Sequence, residues 1–134
     1  MGRLAEFNKV REDAVLISET DHLGIILHAN DAFCAISGYS REELVGNSHN
    51  IVRHPSMPGK LFRHLWSTIK SGNVFRGVIK NQAKDGTYYW VNCTMIPVFE
   101  KREIVRYLSA RRLITDEKLA EELFAKQVAA IQAV

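Results

Sequence analysis

The stretch VFRGVIKNQAKDGTYYWVNCTMIPVFEKREIVRYLSARRLI, residues 74–114, decides the fold class of this chain. Apolar and polar residues alternate through it, and β-branched and aromatic side chains, which are typical of strands, are frequent. Two groups of turn-forming residues, KDG at 84–86 and EKRE at 100–103, divide the stretch into three segments. These features predict three antiparallel strands joined by two hairpin turns.

The residues before this stretch predict two further strands and two short helices. DAVLISETD, residues 13–21, and IILHA, residues 25–29, have the apolar density of strands and are separated by a turn. Asn30 is a strong helix N-cap, and Ser40 forms a capping box with Glu43 three residues later. A hairpin followed by two short helices is therefore expected here.

Two longer helices are predicted from apolar residues at helical spacing. In PGKLFRHLWSTIKSG, residues 58–72, these positions are Leu61, Phe62, Leu65, Trp66 and Ile69. In TDEKLAEELFAKQVAAIQAV, residues 115–134, acidic residues occupy the first turn and one apolar stripe comprises Ala120, Phe124, Val128 and Ile131. The elements together predict an α+β fold with one five-stranded antiparallel sheet, helices on one face and a C-terminal helix.

A crowded polar segment, GNSHNIVRHPSMPGKLFRHLW at residues 46–66, joins the short helices to the first long one. It is too polar for a core strand and too interrupted by proline and glycine for a single helix. A pocket between sheet and helices is where small ligands bind in such a fold. The rings and charges of this segment therefore favour a bound aromatic ligand over a purely structural turn.

Composition restricts the class of protein. The chain has 134 residues, 46% hydrophobic and 25% charged, which suits one globular domain without a transmembrane segment or a signal sequence. A net charge of +3 without a basic stripe argues against nucleic acid. Cys34 and Cys93 are far apart and have no CxxC partner, so we expect no metal and a cytoplasmic location, although a parent protein could be anchored in a membrane. No paired acid and base or GxGxxG fingerprint indicates an enzyme.

Several motifs resemble those of PAS domains and occur in the same order. TDHLGIILHANDAFCAISGYSREELVG is similar to the opening of that family, and KDGTYYWVNCTMIPV and VRYLSARRLITDEK are similar to its closing strands. The resemblance implies a PAS sensor domain at 13–115 and a signalling helix at 116–134. Residues 1–12 are then an N-terminal cap helix or an added segment.

Within that family, HNIVRHPSMP, LWSTIKSG and GVIKN resemble the flavin-binding domains of aerotaxis receptors and nitrogen-fixation regulators. The resemblance implies non-covalent FAD and the sensing of redox state, oxygen or energy. It also implies seven cofactor-binding residues, which are Ser18, Asn30, His49, Arg53, His54, Trp66 and Asn81.

The residues themselves support these seven positions unequally. The Asn81 amide can donate and accept at once, as the edge of a flavin ring requires. Arg53 and His54 suit the anionic arm of a dinucleotide. Asn30 is equally a helix N-cap, and the spacing of Trp66 is that of a core residue.

Two other hypotheses stay open at this point. One is a ligand-free PAS module used for protein interaction or dimerisation, and the other is a heme-binding module with His64 as axial ligand. A light-sensing cysteine adduct is disfavoured, because the loop after ELVG contains no cysteine. In the favoured hypothesis, redox changes pass through the sheet to the C-terminal helix, whose apolar stripe binds a partner protein, a downstream domain or a second copy.

Overall fold

The computed structural model describes residues 13–132, so the segment 1–12 and the last two residues lie outside the described part of the chain. The elements follow one another in the predicted order, with a 3₁₀ helix added inside the polar segment. They are β1 Val15–Thr20, β2 Ile26–Ala29, α1 Asp31–Ser37, α2 Arg41–Leu44, the 3₁₀ helix His49–Val52, α3 Gly59–Lys70, β3 Phe75–Gln82, β4 Tyr88–Glu100, β5 Glu103–Ile114 and α4 Glu117–Gln132.

The five strands form one antiparallel sheet in the order β2-β1-β5-β4-β3. This confirms the predicted α+β fold class. The turn between β4 and β5 places Lys101 and Arg102 at φ values of 50° and 71°, which is the backbone of a two-residue hairpin whose twist matches the strands. β2 and β3 are the two edge strands, so whatever covers β3 closes one side of the domain.

The two predicted N-caps are confirmed. The Asn30 side chain accepts from the Phe33 N–H at the start of α1, and Ser40 and Glu43 form both bonds of a capping box at α2. These short helices pack beside the sheet, and the buried Phe33 of α1 contacts Arg111 and His49, two residues of the cavity described below.

The polar segment crosses the domain from one edge of the sheet to the other. Near its start Ser48 pairs with Ile25, next to β2, and near its middle Arg53 pairs with Asn81 of β3. Between them the Ser48 side chain caps the 3₁₀ helix. This is why the sequence fits neither a strand nor one helix: the segment is a strap that bridges two edge strands above the sheet.

Helix α4 packs on its own domain instead of projecting from it. Ala120 is fully buried, and the Phe124 ring lies 5.5 Å from the ring of Trp90. The stripe that the sequence offered to a partner is therefore used within the chain. Leu119 and Leu123, on another face of the helix, are 45% and 39% exposed.

Candidate ligand-binding site

A cavity lies between the sheet, the 3₁₀ helix and α3. It encloses about 500 Å³ of empty space, a figure that includes its opening to solvent. Its apolar wall consists of Phe62, Leu65, Trp66, Ile79, Val91 and Met95. Its polar groups come from His49, Asn50, Arg53, Asn81, Cys93, Ser109 and Arg111. A cavity that combines apolar walls with polar side chains suits a flat ring that has a hydrogen-bonding edge.

Arg111 is the most unusual of these residues, because it is only 2% exposed. Its Nη2 donates to Ser18 Oγ at 2.8 Å, and its Cζ lies 4.4 Å from the centre of the Phe33 ring. No carboxylate pairs with it within residues 13–132, and its Nε has no hydrogen-bond partner there. A buried cation without a counter-charge is costly, so this guanidinium indicates a place for an anionic or electron-rich ligand group.

His49 is held by the same cluster. Its Nε2 lies 3.0 Å from Arg111 Nη1 and 3.1 Å from Ser18 Oγ, and its ring stacks on Phe33. Because arginine can only donate, Nε2 must accept, which assigns the proton of a neutral ring to Nδ1. Burial and then the charge of Arg111 lower the pKa of His49 from 6.5 to about 3. His49 is therefore uncharged at neutral pH.

This lowered pKa makes the ligand-free protein sensitive to mild acid. Between pH 7 and 5 the unfolded chain protonates His49 while the folded protein does not, because the folded pKa is about 3 against 6.5. The stability contributed by neutral His49 is therefore complete above the unfolded pKa and is lost as the pH falls. We expect the free energy of unfolding to drop by about 2 kcal/mol more in the wild type than in His49→Gln. Urea denaturation at both pH values measures this, and equal losses in the two proteins would contradict the lowered pKa of His49.

Asn81 lies at a second polar position of the cavity. It is 4% exposed on β3, and its cross-strand partner on β4 is the buried Tyr89, whose hydroxyl interacts with the Asn81 side chain. Burial raises the pKa of Tyr89, so this hydroxyl stays protonated. An amide that both donates and accepts thus lines the cavity, where a heterocycle edge would meet it.

Arg53 and Trp66 also line the cavity. The Arg53 guanidinium lies 4.0 Å over the Phe62 ring, and its Nη2 donates to the Met57 carbonyl at 3.3 Å. The Trp66 ring is half-buried and meets Tyr107 edge-on at 5.6 Å. Both side chains therefore have fixed positions before any ligand is considered.

An outer cleft continues from the cavity. It encloses about 570 Å³ with its open side, and its lining residues are His22, Leu23, Gly24, Ser48, His49, Asn50, Trp66 and Lys70. Three of these, His49, Asn50 and Trp66, line the cavity as well. The cleft contains a lysine and two histidines and no acidic residue, so it suits an anionic extension of a ligand.

Four of the seven predicted residues line the cavity, namely His49, Arg53, Trp66 and Asn81. Ser18 is fully buried behind it and supports Arg111 and His49. Asn30 and His54 lie outside. The Asn30 amide is used by the backbones of Val15, Ile17 and Phe33, and His54 Nδ1 accepts from Ser56 in the next turn. Their predicted contacts with a cofactor stay predictions, and each residue already has a structural role.

The sequence interpretation missed Arg111, Ser109 and Cys93. A signal for Arg111 was present, because Tyr107, Ser109 and Arg111 follow the period of two that places residues on one face of a strand. The adjacent pair Arg111-Arg112 makes this signal ambiguous, because the sequence does not show which of the two arginines points inward. The hydrogen bonds to Ser18 and His49 identify it in the structure.

Two other residues considered from the sequence lie away from the cavity. His64, the candidate heme ligand, is exposed on α3 and faces Phe75 edge-on at 6.2 Å. Cys34 is half-buried on α1 and is not among the lining residues. Across residues 13–132 no three His, Cys, Asp or Glu side chains are grouped to hold a metal. In the same part of the chain no helix has the length and apolar character to cross a membrane.

Relatives of known name match most of this chain. The aerotaxis receptor of Escherichia coli K12 is 43% identical over 109 residues, which cover 81% of this chain and 22% of the receptor. The nitrogen fixation regulatory protein of Klebsiella pneumoniae is 30% identical over 129 residues, which cover 96% of this chain and 26% of that protein. The chain thus spans about a quarter of the length of these relatives.

Solved structures and a family model agree with the fold. A PAS domain from Colwellia psychrerythraea superposes with a TM-score of 0.70 at 26% identity, covering 75% of this chain and 86% of that one. The dark structure of the Aureochrome1 LOV photoreceptor gives a TM-score of 0.77 at 19% identity, covering 86% of each chain. The family model for the PAS fold matches residues 26–111, which include β2 to β4, most of β5 and every residue that lines the cavity. The chain belongs to the PAS family.

Proposed function

We propose that this domain binds FAD non-covalently in the cavity and senses redox state, oxygen or energy. The observation that carries the proposal is the buried guanidinium of Arg111, which has no acidic partner within residues 13–132 and lines the cavity. The isoalloxazine ring of a flavin has the matching chemistry, with a flat apolar body and an electron-rich edge. Similarity to an aerotaxis receptor supports the sensory role.

The choice of FAD over a flavin mononucleotide rests on the outer cleft. A mononucleotide leaves this cleft empty, whereas a dinucleotide needs a second volume beside the ring site. Lys70 and His22 supply donors for a pyrophosphate, and Trp66 offers a ring at the junction of the two volumes. In this assignment Lys70 and His22 meet the anionic arm, and Arg53 lies at the cavity itself.

The residues of the chain then have distinct tasks. A bound flavin supplies reversible electron transfer. Arg111 offers positive charge to the ring edge, Asn81 both donates and accepts, and neutral His49 orients Arg111 without adding charge. A change of charge or protonation in the cavity alters the balance of these hydrogen bonds, and β3 and β5 carry the change to the edge and end of the sheet.

The visible spectrum of the purified protein tests the proposal. We expect two flavin bands that dithionite bleaches, and release of FAD, not mononucleotide, on denaturation. Apoprotein should recover the bands with FAD in a one-to-one titration. A Soret band would instead establish heme, and a protein that FAD cannot fill would overturn the flavin assignment.

The relatives support a proposal for the wider role of the protein. They are a receptor and a regulatory protein, and this chain matches about a quarter of each. We infer that the domain acts in the cytoplasm as a sensor, not an enzyme, and passes its signal to a downstream domain or a partner protein. A ligand-free interaction module is the second candidate. The exposed Leu119 and Leu123 on α4 favour it, because they suit pairing with another helix or a second copy.

A further inference from the structure

A side-chain amide of helix α4 pairs with the backbone at the edge of the sheet. Gln127 Oε1 accepts from the Val78 N–H at 2.6 Å, and Gln127 Nε2 donates to the Val78 carbonyl at 3.0 Å. This is the pairing that a neighbouring strand would give to the outer edge of β3. The amide of Gln127 thus takes the place of a sixth strand at one residue.

Gly77, the residue before Val78, leaves space for this contact because it has no side chain. A Cβ at Gly77 would lie 2.7 Å from Gln127 Oε1 and 2.7 Å from Cζ of Phe75, closer than atoms approach without displacement. Only glycine therefore lets the amide reach the strand while Phe75 stays buried. Two positions 50 residues apart in the sequence, Gly77 and Gln127, serve one contact.

Other contacts of α4 with the domain lie away from Gln127. A cleft of about 640 Å³, including its open side, separates part of the helix from the domain, and its lining residues are Ser56, Met57, Lys80, Trp90, Glu121 and Phe124. Tyr88 hydrogen-bonds Glu117 at the start of the helix, and Phe124 packs on Trp90. The indole N–H of Trp90 is buried without a hydrogen-bond partner within the described residues. Loss of the contact at Gln127 is therefore expected to increase local opening of the helix.

Strand β3 contributes both to the cavity and to the attachment of α4. Val78 contacts Gln127, the Lys80 N–H points to Met57 Sδ at 3.5 Å, and Asn81 pairs with Arg53. Met57 and Arg53 belong to the polar strap that covers the cavity. A ligand that displaces Asn81, or its bridge partner Arg53, therefore acts on β3 three residues from Val78. Val78 is the residue to which Gln127 of α4 is hydrogen-bonded.

We propose that the Gln127–Val78 amide pair is a latch that holds α4 on the β3 edge and couples its docking to the occupancy of the cavity. The latch itself is independent of the ligand, whereas the coupling rests on the proposed binding of FAD. Release of the latch frees the stripe of Ala120, Phe124 and Ile131, which is the surface that a second helix would need.

Hydrogen exchange tests the latch with Gln127→Leu, which keeps the volume and removes both hydrogen bonds. The matched control is Lys126→Leu, which introduces the same residue one position away on the exposed face. Without ligand, we expect amide exchange over residues 117–131 to be about 5- to 30-fold faster in Gln127→Leu, because two hydrogen bonds are lost. The control should stay within about twofold of the wild type. Equal exchange in the two variants would overturn the latch.

The same measurement with and without FAD tests the coupling. We expect FAD to change α4 exchange by at least about threefold in the wild type and in Lys126→Leu, and to have no effect in Gln127→Leu. An effect of FAD that persists in Gln127→Leu would show that the latch is not the link, and no effect in any protein would overturn the coupling. If the wild type binds no FAD, the proposed function fails, while the comparison without ligand still decides the latch.

Discussion

Replacing Arg111 with methionine will stabilise the ligand-free protein and abolish tight binding of FAD. Methionine fills a similar volume and removes a buried charge that has no acidic partner within residues 13–132. We expect the free energy of unfolding to rise by about 1–3 kcal/mol, because the desolvation cost of the cation disappears. Ser18 and His49 do not become unpaired in the variant, because Ser18 Oγ and His49 Nε2 lie 3.1 Å apart and can bond each other.

The loss of binding follows from the same charge. A charge-assisted hydrogen bond to a buried ligand contributes more than a neutral one, so we expect FAD to bind about 100-fold more weakly to Arg111→Met. Urea unfolding of the apoprotein and FAD titration measure the two effects. A substitution that raises the free energy of unfolding and also weakens FAD binding indicates that the original residue serves the ligand and not the fold.

Arg112→Met is the matched control for this experiment. Arg112 follows Arg111 on β5, is exposed, and donates to the Asp13 carbonyl. We expect its replacement to change neither unfolding free energy nor FAD affinity by more than about 0.5 kcal/mol. If Arg111→Met were instead less stable without ligand, its guanidinium would be a structural group and the main support for the proposed function would be lost.

The fold was predictable from the sequence because its signals are local. Alternation in residues 74–114, the caps Asn30 and Ser40 and the helical spacing in α3 each determine one element through neighbouring residues. The strap was not predictable as a shape. Its backbone pairs with Ile25 and Asn81, which are far away in the sequence, and these contacts exist only once the sheet has formed.

The candidate site was predictable in part for a related reason. Motif resemblance indicated His49, Arg53, Trp66 and Asn81, which line the cavity, but it also indicated Asn30, whose amide is used in capping. A motif shows that a residue type occurs at a position and not which of its possible partners it meets. Helix α4 is the converse case, since its stripe was correctly predicted and its partner surface is the domain itself.

The turn between β1 and β2 contributes to the mouth of the site through Gly24. Its φ is +82°, its carbonyl accepts from the His49 N–H at 3.0 Å, and a Cβ there would lie 3.0 Å from Cζ2 of Trp66. A side chain at this position would therefore be strained in its backbone and would also displace the indole. Trp66 stands where cavity and outer cleft join, so its displacement alters both volumes.

Gly24→Ala compared with Gly46→Ala separates these two costs. Gly46 has a similar φ of +90°, but a Cβ there meets nothing within 4 Å, so its replacement measures backbone strain alone, about 1–2 kcal/mol. For Gly24→Ala we expect a loss of about 2–4 kcal/mol in urea unfolding, because contact with a fixed indole adds to the same strain. FAD affinity should fall about tenfold in Gly24→Ala and stay unchanged in Gly46→Ala, since only the first displaces Trp66. Equal losses of stability would mean that Trp66 moves freely aside. In that case the indole would change position easily, and the shape of the cavity opening would depend on the polar segment alone.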